Sequence, residues 1–299
     1  MTQHSPPAVG LLYQPVFEDF LVQPDCPADY VEIIPDTIWH DRGPGATPRF
    51  AVENDQRASL DRLRSRLPVM LHGIGLSIGS ATGLDEQYVT QLLEWVEWLD
   101  SPWLSEHLAF SAVELDEATV NAGLTLPVPL DDTSLTMIGA RAERILSDLG
   151  RPFLLENNVY YFGTPHDSYG EAAFLNRLCH QYGADLLLDL HNLHCNAVNG
   201  VMSPESYLEE LDLSRVREIH IAGGMEVSGF YVDGHCGAPP EPVWDMLEQV
   251  VPLCPNLGAV TFEMLGSWAG SLPAGGLTEV LERMRAVVSG THDPALVWP

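Results

Sequence analysis

The chain has 299 residues with 14 basic and 42 acidic side chains, a formal charge of −28, and every one of the 14 is arginine. The absence of lysine excludes Schiff-base aldolase, pyridoxal-phosphate and Walker-A chemistries, each of which needs a lysine ammonium. The acidity excludes a duplex-DNA surface, because phosphate contacts need a basic face.

Apolar residues make up 45% of the chain, enough for a core of ordinary size. No run approaches the roughly 18 apolar residues of a membrane span. The start, MTQHSPPAVG, has no charged segment leading into an apolar one, so it does not read as a secretory signal. The cysteines (26, 179, 195, 236, 254) are odd in number and scattered, with no CxxC. That pattern fits free thiols in a reducing compartment. The expectation is a cytoplasmic protein that binds neither membrane nor nucleic acid.

In chain order, an apolar run at 9–13 leads through a short crossover at 17–21 to a second run at 30–35. A helix is predicted over 54–66; it carries Arg57, Arg62, Arg64 and Arg66, which read as a solvated face. A third run at 68–72 precedes a Gly/Ser-rich loop at 73–83. In the next helix, 85–99, Val89, Leu92, Leu93, Val96 and Leu99 keep the spacing of one helix face. Strands at 103–107, 152–157, 184–190, 216–222 and 258–265 then alternate with helices at 134–149, 171–182, 204–211, 242–250 and 278–288. Eight fully apolar strands alternating with helices predict a closed α/β structure, the (β/α)8 TIM barrel. It is read as a single domain over 1–299, with the barrel at about 9–290. A doubly wound open sheet would carry GxGxxG in its first turn, and 13–17 does not.

The informative residues are those that end the strands. The third strand ends at His72 (LHG), the fourth at His107 (SEHL) and the fifth at Glu156 (LLEN). The sixth ends at Asp189 and Asn192 (LLLDLHN), the seventh carries His220 (EIHIAGG), and the loop after it carries Asp233 and His235 (VDGH). The eighth ends at Glu263 (TFEML). In a barrel these ends meet at one face, where active sites sit. Any one of them alone reads as a cap or a satisfied surface group. Six consecutive strands ending in His, Asp or Glu do not, because such residues are disfavoured in strands. Asp-x-His can place two donors on one side of an extended segment. Four crowded carboxylates raise one another's pKa unless cations share the site. Mixed imidazole and carboxylate ligation suits Fe, Mn or Zn, and nine donors suit two or three ions with positions left for substrate or water. His4, His40, His166, His180 and His292 read as surface residues. Glu106, Asn157 and one of His191 and His194 read as residues that orient ligands. Cys236 reads as a small buried thiol.

The segments HGIGLSIGS, SEHLAFS, LLENN, LLLDLHNLHCNAVN, EIHIAGG, YVDGHCGAPPEPVWDML and FEM, in that order, resemble the multinuclear non-haem iron-dependent oxidative enzymes, the DUF692 family. The resemblance runs over nearly the whole chain. That family is similar to the xylose-isomerase-like TIM barrels, including zinc-dependent apurinic endonucleases, which carry His at the position of Asn192. The resemblance implies that His72, His107, Glu156, Asp189, Asn192, His220, Asp233, His235 and Glu263 hold two or three iron ions in mixed Fe(II)/Fe(III) states, with Asp233 and His235 catalytic. It also implies O2 as co-substrate and oxidation of a residue, typically cysteine, in a ribosomally synthesised precursor peptide. A separate leader-binding partner protein is implied, because the chain is too short for an added leader-binding domain. The sequence departs from the common pattern at NNVYYFG, where many members show Pro and Ser, in a loop expected near the substrate mouth. Two other classes are a metal-dependent hydrolase or isomerase on the same barrel and a non-catalytic metal-binding protein. The charge argues against an endonuclease, and the missing lysine against a sugar isomerase.

Overall fold

Strands that are apolar on both faces must be covered on both faces. The computed structural model describes residues 6–115, 118–161 and 167–290, so His4, His166 and His292 lie outside the described residues. Eight parallel strands pair in chain order: β1 (Ala8–Leu12), β2 (Tyr30–Ile33), β3 (Val69–Gly73), β4 (Leu104–His107), β5 (Phe153–Glu156), β6 (Asp185–Asp189), β7 (Val216–Ala222) and β8 (Ala259–Glu263). β1 pairs with β8, Ala8 opposite Ala259, and with β2, Gly10 opposite Tyr30. The ring is therefore closed, and the doubly wound alternative is excluded.

Helices Asn54–Arg64, Glu86–Leu99, Asp132–Leu149, Glu171–Tyr182, Pro204–Glu210, Glu241–Val250 and Gly276–Val288 fall where the sequence pattern puts them, with ends shifted by a residue or two. Local chemistry sets their ends. Asp85 and Asp131 accept hydrogen bonds from first-turn amides, and Gly150 and Gly183 close helices in the left-handed conformation. The arginine cluster is engaged by its own fold: Arg57 stacks over Trp98 at 3.3 Å, Arg62 pairs with Glu18, and Arg66 donates to the Gln23 carbonyl.

Four features were not anticipated. An antiparallel hairpin, Ala109–Leu115 with Ala118–Pro127, follows β4. Two shorter pairs, His40–Asp41 with Phe50–Ala51 and Met225–Val227 with Phe230–Val232, decorate other loops. Helix Leu190–Val198 begins directly on β6 without a turn, because the Asp189 carboxylate caps it by accepting from Asn192 N at 2.8 Å. Among the described residues no helix is long and apolar enough to cross a membrane.

The side-chain alternation of the strands builds two cores. Val31, Ile33, Leu71, Phe153, Leu155, Leu188, Ile221 and Phe262 join the large cluster under the helices. The opposite faces contribute Tyr30, Met70, Trp103, Leu154, Leu187 and Ala259, a separate apolar plug at the N-terminal end of the barrel. Above the plug the interior turns polar along each strand: Trp103, Ser105, His107; Glu218, His220; Ala259, Thr261, Glu263. A Cβ on Gly10 would overlap the buried Tyr30 ring. Gly10→Ala is expected to cost about 1–3 kcal/mol, the range for overpacking a tight core, read as a lowered midpoint in urea unfolding; an unchanged midpoint would show that the ring can move aside.

Candidate metal centre

The inward polar positions converge at the C-terminal ends of the strands. His72 and His107 each place Nε2 at 3.4 Å from Glu156 Oε2. Glu156, Asp189, His220 and Glu263 form a second buried group whose ligand atoms all lie within 4.8 Å of one another. Glu263 Oε2 lies 3.1 Å from His220 Nδ1 and 3.5 Å from His235 Nε2, and His235 Nε2 lies 3.0 Å from Asp233 Oδ2. Asn192 Nδ2 sits 3.5 Å from Glu156 Oε1. All nine positions flagged by the sequence thus meet in one region: two groups of mutually close ligand atoms share Glu156, His235 and Asp233 adjoin Glu263, and a further group joins His220 to Glu32 and Glu218. Asp233 and His235 do not sit on an extended segment, contrary to expectation. His235 has a left-handed backbone (φ 45°), and this kink turns its ring onto Asp233. Bonds from Leu265 N to His235 O and from Cys236 N to Gly223 O tie the kinked loop to the ends of β8 and β7.

The electrostatics divide the site. Burial holds His72 well below the usual imidazole range and lowers His107, and it pushes Glu156 well above the usual carboxylate range. Asp189 is pushed up to about 6 by burial and by Asp233. On the other side burial is outweighed by ion pairing. Asp233 and Glu263 hold His235 up at about 10, while the imidazoles of His235 and His191 hold Asp233 far down. His220 is likewise raised by Glu263 and Glu32 against its burial.

A cation fits this donor set. His107 Nδ1 faces the Gly73 carbonyl at 3.2 Å and His72 Nδ1 faces Ser105 Oγ at 3.0 Å, so both rings turn an Nε2 lone pair toward Glu156. Glu156 Oε2, Asp189 Oδ2 and Asn192 Oδ1 are buried without a hydrogen-bond partner. Buried polar atoms are seldom left this way. Two donors bound to one ion at about 2.1 Å lie about 3.0–3.4 Å apart, which is the separation seen here.

Several supporting residues act from behind. Asn157 donates to the Asp189 carbonyl (2.9 Å), accepts from Asp189 N (2.7 Å), and its own carbonyl accepts from Asn192 Nδ2 (3.0 Å). His191, fully buried, holds Asp233 Oδ1 at 2.8 Å. His194 stacks edge-on to Tyr231 instead. Glu106 points away from the cluster and accepts from Leu76 N at 2.6 Å, so it shapes the loop after β3 and does not orient a ligand side chain. Cys236 is a buried free thiol, and all five cysteines are unpaired. His40 and His180 are exposed, His180 in a pair with Asp212. Two further buried carboxylates lie in mid-strand, away from the strand ends that the sequence pattern marks. Glu32 on β2 lies 3.1 Å from His220 Nε2, and Glu218 on β7 lies 3.7 Å from it. The signal was available in the alternation, since Glu32 follows inward Tyr30 by two and Glu218 precedes His220 by two.

A cavity of about 270 Å³ opens above the cluster, with His107, Asn192 and Asp233 on its floor and Pro127, Val159 and Tyr161 among its walls. The wall segment with the unusual NNVYY sequence is firmly held. Asn158 N and Tyr160 Oη donate to Glu171 Oε1 at 2.9 and 2.8 Å, and Tyr160 N donates to Asn196 Oδ1 at 2.7 Å. Tyr161 Oη accepts from Asp233 N at 3.2 Å.

The fold is a closed parallel TIM barrel with histidines and carboxylates gathered at its strand ends. Consistently, the fold is similar to a xylose isomerase-like TIM barrel protein from Mycobacterium smegmatis (TM-score 0.58, 16% identity, 96% of this chain and 98% of that one). It is also similar to D-psicose 3-epimerase from Clostridium cellulolyticum H10 (TM-score 0.53, 11% identity, 95% and 98%). The chain belongs to the family described as RiPP precursor modification enzyme MbnB/TglH/ChrH, whose profile matches residues 8–267; RiPPs are ribosomally made, post-translationally modified peptides. Curated relatives carry the name UPF0276 protein. One from Neisseria meningitidis serogroup B is 30% identical over 269 residues, 88% of each chain. One from Caulobacter vibrioides is 34% identical over 189 residues, 63% of this chain and 66% of the relative, just under two thirds of its length.

Burial raises Glu171 to about 7. A carboxyl whose folded pKa is raised contributes stability that is full below its unfolded pKa and is lost as pH rises through the folded value. Glu171→Gln is therefore expected to match the parent at pH 4 and to exceed it at pH 8.5, by up to about 3 kcal/mol from the size of the shift. Urea unfolding at the two pH values reads this difference; a constant gap between the proteins would refute it.

Proposed function

We propose that this chain is a multinuclear iron-dependent oxidase that uses O2 to modify a residue, in our reading a cysteine, of a ribosomally synthesised precursor peptide. The observation that carries the reading is the sharing of Glu156 and Glu263 between neighbouring imidazole groups, an arrangement suited to adjacent ions. His72, His107 and Glu156 would hold one ion; Glu156, Asp189, His220 and Glu263 a second; Glu263, Asp233 and His235 a third, with Asn192 beside the first two. The relative from Mycobacterium smegmatis is described in complex with magnesium. The four imidazoles here favour a softer ion such as iron. When bound, iron supplies a Lewis-acid anchor for a substrate thiolate and the electrons that reduce O2.

The chain's own residues supply position and enclosure. Tyr161, Val159 and the hairpin end at Pro127 line the cavity, and a peptide side chain entering it meets His107, Asn192 and Asp233. His191 and the kinked backbone at His235 fix the Asp233–His235 pair, so both donors are set before a ligand arrives. The formal net charge of −28 suits a basic peptide or a basic leader-binding partner. We place the protein in the cytoplasm, as a single domain that works with such a partner.

Asp233→Ala and His235→Ala are each expected to lower the metal content per chain and to abolish peptide-dependent O2 consumption. Elemental analysis and an oxygen electrode with a cysteine-bearing precursor peptide test this. Full iron with full activity in either variant would sink the assignment, and full iron with no O2 uptake by the parent would favour a hydrolase, an isomerase or a metal-binding protein.

A further inference from the structure

Strand β2 ends without contributing any of the nine donors, yet it places Glu32 inside the barrel at 0% exposure. A buried carboxylate is costly unless something requires it. Glu32 Oε2 lies 3.1 Å from His220 Nε2, and its other oxygen has no hydrogen-bond partner. Glu218, the other carboxylate at this level, is already satisfied. It accepts from Trp103 Nε1 at 2.7 Å and from Thr261 Oγ1 at 2.9 Å, and it stands farther off, 3.7 Å from His220 Nε2. Glu32 is therefore free to serve His220 and serves little else.

The two nitrogens of an imidazole are coupled: an acceptor at one keeps the proton there and leaves the other as a lone pair. His220 Nδ1 is the nitrogen that faces Glu263 and the rest of the cluster. His72 and His107 show the opposite orientation, with Nδ1 held from behind and Nε2 facing in, and their holders are a hydroxyl and a carbonyl. His220 has a carboxyl group in that place. A carboxylate behind a ligating imidazole fixes its orientation and raises its donor strength.

We propose that Glu32 is a positioning residue of the metal centre: through His220 Nε2 it aims Nδ1 at Glu156, Asp189 and Glu263 and makes that the tightest ion position. The proposal rests on the reading of the cluster as a metal centre.

The test is titration of the metal-free full-length protein with Co(II), followed by visible absorption and calorimetry. Parent, Glu32→Leu, Glu32→Gln and the control Asp185→Asn, a buried carboxylate at the start of β6 that pairs with Arg215 and Arg217, are compared, with the melting temperature of each metal-free protein. Glu32→Leu is expected to weaken the tightest binding step about 10–100-fold and to alter its absorption band. Its metal-free melting temperature should fall little, because Glu218 and Glu263 remain beside His220 to pair with it. Glu32→Gln keeps an acceptor but loses the charge and should weaken that step about 3–10-fold; it also serves if the leucine variant does not fold. The control should stay within about threefold of the parent. A tightest step unchanged in either Glu32 variant, or weakened only alongside a comparable fall in metal-free melting temperature, overturns the proposal and leaves the metal centre standing. Absence of Co(II) binding by the parent overturns both.

Discussion

Closing eight parallel strands into a ring creates an interior that the protein must fill with every second side chain of each strand. Here the lower part is filled by an apolar plug and the upper part by imidazoles and carboxylates. So many ionisable groups in a low-dielectric space cannot all take their ordinary charge states. The chain resolves the conflict on one side by keeping His72, His107 and Glu156 neutral, and on the other by pairing His220 and His235 with Glu263 and Asp233. Protons there hold the positions that cations are suited to take, so the same geometry that strains the metal-free site prepares it for ions.

That arrangement depends on groups that touch no ligand atom directly from the cavity. Asn157 fixes the backbone of Asp189, His191 fixes Asp233, and Ser105 and the Gly73 carbonyl set the faces of two imidazoles. The cluster is thus framed by strands and short anchored loops, and its wall at Asn158–Tyr160 is bonded to Glu171 and Asn196. Rigid support of this kind is what holds donors at ligand spacing without a ligand to gather them.

The barrel was legible in the sequence because parallel strands buried on both faces leave continuous apolar runs, and each run is followed by an amphipathic helix. The nine convergent residues were legible because a barrel collects its strand ends at one face. What escaped notice had physical reasons. Helix Leu190–Val198 hides because Asp189 serves at once as strand end and helix cap. The hairpin after β4 hides because its alternation says nothing about what it packs against. Glu32 and Glu218 hide because an inward position in mid-strand looks like any other residue of a β-rich run until its neighbours across the ring are known. The left-handed turn at His235 could not be read at all, since Asp-Gly-His permits an extended path equally well.

The apolar plug has a kinetic meaning. Tyr30, Met70, Trp103, Leu154, Leu187 and Ala259 close the barrel from below, so the polar interior is a well with its mouth at the C-terminal end. Whatever is loaded first lies beneath whatever comes next. Ions bound at His220 and Glu263 would be locked in by a large ligand seated over His107, Asn192 and Asp233, and a small gaseous reactant would have to share that ligand's doorway. Such a geometry favours an obligatory order of arrival and a last-in, first-out order of departure.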